Sequence, residues 1–424
     1  MLTPLTRERP GSMDLRLADH DSALRVHPRV WLSPGSTNTY LVTTDDGNVL
    51  INTGLGIEAP VHQRCYAAIS DAPLRAIVLT QGHLDLVGGV EQLKQPGTVV
   101  YAHRNMAACQ DDDQRIEGFR NRRNARFFGD MVGPMLAAQR RAAAAGWRPP
   151  QARAEPDVLV DRRLAFELGG VRFELIWVPG GETVDSLLVW LPHERILFSG
   201  NTFGPLFPHM PNFHTIRGDR LRFALPYLEA CDTVLALRPA VLLTGHFGPV
   251  EGEALIRDEL TRLREAVRHV HDETVRGMNE GLDPFTLMKR IRLPEHLQVG
   301  EDYGTVAWAV RAIWHGYGGW FYFQSTTEIG DTPVREVYGE LAALAGPDAL
   351  AARAAALLQA GTPLKALHLA EVALAGDPAH RAALQVSLEA HLCLLDQAPP
   401  RNRWWHCWLR GEIDALRARL EPSA

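Results

Sequence analysis

Cysteine is scarce in this chain and scattered along it. The five thiols (Cys65, Cys109, Cys231, Cys393, Cys407) are odd in number and include no Cys-x-x-Cys pair, which excludes a disulfide frame and a zinc knuckle and points to reduced thiols. No apolar run approaches the ~20 residues that cross a bilayer. The opening residues Met1 to Gly11 have no apolar core of the kind a signal peptide needs. Positive charge is not in excess either: 44 Lys and Arg stand against 50 Asp and Glu, for a net charge of -6 and a pI near 6.3. Nucleic acid and anionic membrane surfaces are therefore not the expected partners. A Gly-x-Ser-x-Gly nucleophile elbow is also missing, which removes the common serine hydrolases. The expectation is a soluble cytoplasmic protein of one to three domains, with 424 residues to build a sizeable core.

What the chain does contain is a succession of short apolar strands with sharp turns. Val26 to Leu32, Thr39 to Thr43 and Asn48 to Ile51 read as strands broken by Pro34-Gly35 and Asp45-Asp46-Gly47. A helix through Val61, Cys65 and Ile69 follows, then strands at Arg75 to Thr80 and Thr98 to Ala102. Strands resume at Asp157 to Val160, Leu164 to Leu168, Val171 to Val178, Ser186 to Leu191, Arg195 to Phe198 and Ala240 to Thr244. Between the two sets, residues from about 104 to 156 are rich in Arg, Ala and Asn. Their apolar spacing at Phe119, Phe127, Phe128 and Met131 predicts a helical cap insertion. Its five arginines from Arg115 to Arg126 make either a solvated helix face or a set of cations that meets an anionic substrate.

From Glu253 onward the pattern is helical, as Leu255, Leu260, Leu263, Val267 and Val270 show. The aromatic segment Thr305 to Phe323 predicts a buried contact between helices or subunits. The alanine-rich stretch Asp348 to Leu395, interrupted at Gly361-Thr362-Pro363 and Asp377-Pro378, reads as one helical-hairpin repeat unit packed on the preceding helices. Two domains are expected, 1-255 and 256-424.

Chemistry-bearing residues gather where strands end. Leu79-Thr80-Gln81-Gly82-His83-Leu84-Asp85-Leu86-Val87-Gly88-Gly89 runs from a strand through a polar turn into a helix, a usual place for a site in a layered α/β protein. Pro179-Gly180-Gly181-Glu182 presents a carboxylate from a turn between strands. Thr244-Gly245-His246-Phe247-Gly248-Pro249 ends a strand in a histidine turn, and Ser199-Gly200-Asn201 ends another.

The first of these loops resembles the His-x-His-x-Asp-His signature of the metallo-β-lactamase superfamily, with Gln81 at the first histidine position and Leu86 at the last. Pro179-Gly180-Gly181-Glu182 is similar to a Pro-Gly-x-Glu turn of the alkylsulfatase group of that superfamily. Asn212-Phe213-His214-Thr215-Ile216-Arg217-Gly218 resembles its Asn-x-x-Thr-Leu-Arg-Gly segment. Leu293 to Leu297, Tyr303-Gly304-Thr305 and Gly319-Trp320-Phe321 resemble its dimerisation domain. Gly200 and Asn201 stand where a bridging carboxylate is usual, and Asn52 where an aspartate is frequent.

The resemblance implies an α/β fold: an αββα metallo-β-lactamase sandwich followed by an all-α helical domain. It implies metal ligands His83, Asp85, Glu182 and His246, with carbonyl oxygens from Gln81 and Asn201, and a substrate anion held by Asn212 and Arg217. Leu86 cannot coordinate. Two cations ~3.5–4 Å apart need a bridging anion, so one divalent ion (Zn, Fe or Mn) is the expected cofactor. The expected function is a metal-dependent hydrolase of a small anionic, sulfate-ester-like substrate, with Asp85 and Glu182 as catalytic carboxylates, in a homodimer. A non-haem iron-type oxygenase and a metal-free binding or accessory protein are the alternatives.

Overall fold

The structure, a computed structural model, describes residues 2–147, 153–204 and 206–421. Residues 148–152 of the expected cap lie outside them. The chain forms two compact units, Met1–Tyr317 and Gly318–Ala424. The composition change at 255/256 marks where strands stop. The compact unit runs further because the long helix Glu253–Asn279 packs its apolar stripe, Ile256, Leu260, Leu263, Val267 and Val270, into the first unit.

Within that unit two sheets face each other. The first contains β1 (Leu24–His27), β2 (Val30–Ser33), β3 (Thr39–Thr44), β4 (Gly47–Ile51), β5 (Leu74–Val78), β6 (Val99–His103) and β7 (Val158–Val160), side by side in chain order. The second contains β8 (Arg163–Leu168), β9 (Val171–Trp177), β10 (Leu187–Leu191), β11 (Ile196–Gly200), β12 (Val241–Thr244) and β13 (Val250–Glu251). Val26 to Leu32 is two strands, not one, because Pro28 and Arg29 turn the chain into a β1–β2 hairpin. Pairing is antiparallel except from β4 through β7 and between β11 and β12.

The strand periodicity decides which residues meet between the sheets. In β3, Tyr40 and Val42 enter the inter-sheet core with Phe198, Val189 and Leu243, while Leu41 turns to the other face with Ile77, Leu79 and Leu86. Each such side chain contributes roughly 1.5–3 kcal/mol when removed from water. Helices cover the outer faces, completing the αββα sandwich.

The expected cap is helical over Met106–Arg115, Glu117–Phe127 and Val132–Ala144. Three of its arginines are engaged by neighbours. Arg115 pairs with Asp112 at 2.6 Å, Arg120 with Asp113, and Arg123 donates to the Ile216 carbonyl at 2.8 Å while lying over the Phe119 ring. In the second unit, the two predicted interruptions separate three helices, Pro347–Gln359, Pro363–Gly376 and Arg381–Gln397, so the repeat is a helical triplet and not a single hairpin. Small side chains, Ala351, Ala354, Ala370, Ala373 and Ala383, let these helices approach closely. No single helix is long and apolar enough to cross a membrane.

His62, on the helix Ala59–Ala67, is buried against Ser33, whose Oγ lies 2.7 Å from Nδ1. Burial, reinforced by His20, pushes its pKa from the ordinary 6.5 to about 3. The unfolded chain therefore takes up a proton near pH 6.5 that the folded chain refuses until about 3. Stability falls as pH drops through that window, and His62→Gln is expected to flatten the fall. Melting temperatures of both proteins between pH 7 and 4 check it; parallel curves would show that His62 carries none of the acid lability.

Candidate active site

The carboxyl ends of the parallel strand pairs build the site. β4 runs into Asn52, β5 into the Gln81–Asp85 loop, β11 into Asn201 and β12 into His246. Asn52, at φ +61°, clasps the loop: its Oδ1 accepts from Thr80 N at 2.9 Å and Thr80 Oγ1 at 3.1 Å. Gly200, at φ +50°, lies so close to Thr80 that a Cβ would stand 2.3 Å from its Oγ1. Asp185 ties the loop to the 179–186 turn, with its Oδ2 accepting from Gly82 N at 2.7 Å.

Glu182 is the hub. Its side chain is 5% exposed, and both oxygens are engaged. Oε1 accepts from Tyr303 OH at 2.7 Å and lies 3.2 Å from Arg222 Nη2. Oε2 accepts from Gln81 Nε2 at 3.2 Å and lies 3.5 Å from His83 Nδ1. Gln81 Nε2 is also 2.7 Å from that Nδ1. Burial alone would raise the Glu182 carboxyl, but Arg222 first and His83 second hold it well below the usual carboxylate range. Burial likewise opposes charge on His83, yet Glu182, with Asp219 and Asp85 behind it, raises the imidazole to about 9. The pair is ionised on both sides.

Arg222 is equally buried, with 8% of its side chain exposed. Nη1 donates to Tyr303 OH at 3.0 Å and to the Asn212 carbonyl at 3.1 Å, and Nη2 reaches Asp219 Oδ2 at 3.1 Å. Arg217 stands 3.7 Å and Arg120 3.9 Å from the same Asp219 oxygen. Above this network lies a cavity of about 90 Å³. His83, Glu182, Asp219 and Arg222 line its polar part, and Ile116, Val184, Leu221 and Phe223 its apolar part.

The structure thus brings Gln81, His83 and Glu182 into direct contact. Asp85, half-buried on the short helix Leu84–Val87, couples electrostatically to both His83 and His246. His246 is buried; burial lowers its pKa, opposed by Asp85 and Glu182, and its Nδ1 has no hydrogen-bond partner among the described residues. Asn201 packs instead against Gly245, where a Cβ would meet its Oδ1 at 1.9 Å. Asn212 offers Nδ2 and Oδ1 that are buried and without partners among the described residues. Arg217 stands beside Asp219 and acts electrostatically on Tyr303. Leu86 is fully buried in the apolar cluster behind the loop, so the position is a core position here.

These donors do not fit a divalent ion as they stand. Among the described residues no three His, Cys, Asp or Glu side chains converge on one point. Glu182, the most buried carboxylate of the expected set, is already saturated by a guanidinium, a phenol and an amide. Arg222 instead supplies a counter-charge to Glu182, the carboxylate that the resemblance gives to a single ion. Sequence reasoning missed Arg222, Tyr303 and Asp185 as parts of this network. Tyr303 was legible only as part of the dimerisation-like segment, and nothing in the local spacing of Arg222 marks it.

Comparison with known proteins agrees with the fold. The profile of the metallo-beta-lactamase superfamily matches residues 32–246, and that of alkyl sulfatase dimerisation matches residues 285–411. A linear primary-alkylsulfatase of Pseudomonas sp. (strain ATCC 19151) is 29% identical over 72% of this chain and 60% of its own length. An alkyl/aryl-sulfatase of Saccharomyces cerevisiae is 23% identical over 81% of this chain and 55% of its own. The chain thus spans little more than half the length of these curated relatives. A solved stereoselective inverting sec-alkylsulfatase from Pseudomonas sp. superposes with a TM-score of 0.79, at 22% identity over 95% of this chain and 66% of that one. With the sandwich, the strand-end site and half of its length matched by one profile, this chain belongs to the metallo-β-lactamase superfamily.

Proposed function

We propose that the chain hydrolyses a small sulfate ester whose anionic head enters the cavity over Glu182. The observation that carries this reading is the two-part lining of that cavity: a charged part in which His83, Arg220 and Arg222 stand with Asp112, Asp113, Glu182 and Asp219, and an apolar part that includes Val184, Leu221 and Phe223. A substrate with a charged head and an apolar body suits both parts. The similarity to alkylsulfatases supports the choice of head group.

Each residue then has a definable task. The His83 imidazolium and the Arg222 guanidinium, both in the cavity lining, offset negative charge on the sulfate oxygens. Glu182 is too acidic and too occupied to accept a proton, so it orients its neighbours. Water adds to sulfur as the S–O bond to the alcohol breaks; Asp85, which couples to His83, takes the proton of the water, and the His83 imidazolium gives one to the leaving alkoxide. Arg217 holds Asp219, and through it Arg222, in place. The segment Thr305 to Phe323 leaves Tyr317, Trp320 and Phe323 exposed, Phe323 at 88%. Together with the dimerisation match, these aromatics support a homodimer.

Sulfate release from dodecyl sulfate by the purified dimer, followed by ion chromatography, tests the proposal. Asp85→Asn is expected to lower kcat by about 10²- to 10⁴-fold with KM little changed. No release above that of the variant, or a monomer by light scattering at micromolar concentration, would reject the corresponding part. The full occupation of Glu182 favours a second reading, an anion-binding protein without turnover. Under it dodecyl sulfate binds and is not cleaved.

A further inference from the structure

We propose that Arg222 takes the place of a metal ion in this site, so that the chain is charge-complete without a divalent cation and excludes one. The inference goes beyond the hydrolase reading and does not depend on it. Three observations converge. First, Arg222 is 8% exposed and sits between two carboxylates, 3.2 Å from Glu182 Oε1 and 3.1 Å from Asp219 Oδ2, with Tyr303 OH bridging it to Glu182. A cation held this way neutralises the carboxylate that a metal would need.

Second, Leu86, at a position that the superfamily signature gives to a ligand, lies in the apolar cluster behind the loop, and Asn201 offers only a neutral amide where the signature has a bridging carboxylate. Third, a second guanidinium lies against the His246 turn. Arg9, from the N-terminal segment, is buried and donates to Thr244 Oγ1 at 2.9 Å and to the His246 carbonyl at 3.4 Å. A dication held by Glu182 and His246 would therefore meet a buried guanidinium next to each of these residues. Asp219 cannot restore the balance, because Arg217 and Arg120 already share it.

The experiment is metal analysis of the full chain, expressed in medium supplemented with zinc, iron and manganese, followed by equilibrium dialysis against zinc chloride. The expected result is no saturable zinc uptake that distinguishes the protein from His83→Ala. In a folded Arg222→Met variant, the freed carboxylate should raise zinc affinity by about 10- to 100-fold, and adding His83→Ala should abolish the gain. About one equivalent in the unmodified protein, lost in His83→Ala, overturns the proposal. So does unchanged uptake in folded Arg222→Met; if that variant does not fold, the comparison of the unmodified protein with His83→Ala decides alone. A protein that binds zinc through His83 and also cleaves dodecyl sulfate sinks this inference and spares the hydrolase reading. One that does neither sinks only the hydrolase reading.

Discussion

Arg222→Met is expected to lower the unfolding free energy by about 3–5 kcal/mol, the cost of leaving a buried charge without its partner. Glu182 and Arg222 are both almost wholly removed from water, so solvent cannot replace the lost counter-charge. His83, Tyr303 and Gln81 remain beside Glu182, but only His83 carries a charge, and it stands 3.5 Å away on the other oxygen. Asp219 loses its 3.1 Å contact at the same time. The double variant Arg222→Met/Glu182→Leu should recover much of the loss, since an apolar pair of similar volume removes the stranded carboxylate as well. Urea unfolding of the two single variants and the double variant measures the coupling. A loss under about 1 kcal/mol in Arg222→Met, the size of an exposed ion pair, would show that the network is solvated and does not hold the site together.

The second large effect is expected at Gly180. A Cβ there would stand 1.7 Å from the carbonyl carbon and oxygen of Pro226, which are backbone atoms and cannot rotate away. Gly180→Ala must therefore displace either the turn that carries Glu182 or the start of the helix Ala224–Leu237. Overpacked cores ordinarily cost about 1–3 kcal/mol, and a backbone collision of this depth should reach or exceed the upper end. Dodecyl sulfate cleavage should be lost as well, because Glu182 moves with the turn. Gly339→Ala is the control: its site on the helix Tyr338–Ala345 has open space, and the change should be neutral or stabilising by ~0.5–1 kcal/mol. Equal melting temperatures for Gly180→Ala and the unaltered protein would refute the packing argument.

Fold and site were legible to different degrees. The alternating apolar residues of β3 and β9, and the turns at Asp45-Asp46-Gly47 and Pro179-Gly180, marked the strands because a strand's side-chain period is local and visible in a few residues. The hairpin break at Pro28 was read through, since the flanking residues are themselves strand formers. In the site, Gln81, His83, Asp85, Glu182 and His246 stood out because each follows a strand end. The resemblance then assigned them a shared metal, while the neighbouring Arg222 already offers Glu182 a counter-charge. The motif singles out Arg217 and not Arg222, yet Arg222 is the one that lines the cavity.

The sequence by itself determined the layered sandwich, the helical remainder and the strand ends at which chemistry could sit. These depend on short-range periodicity and on turn residues whose backbone preferences act over a few positions. Only the tertiary structure decided what kind of site it is. Glu182, Arg222 and Tyr303 lie far apart in the chain and meet through long loops, so their pairing is a property of packing. Once buried together, a guanidinium and a carboxylate set each other's charge and occupy each other's bonding capacity. That coupling turns a set of apparent metal ligands into an ion-paired cluster, and nothing in the spacing of the individual residues encodes it.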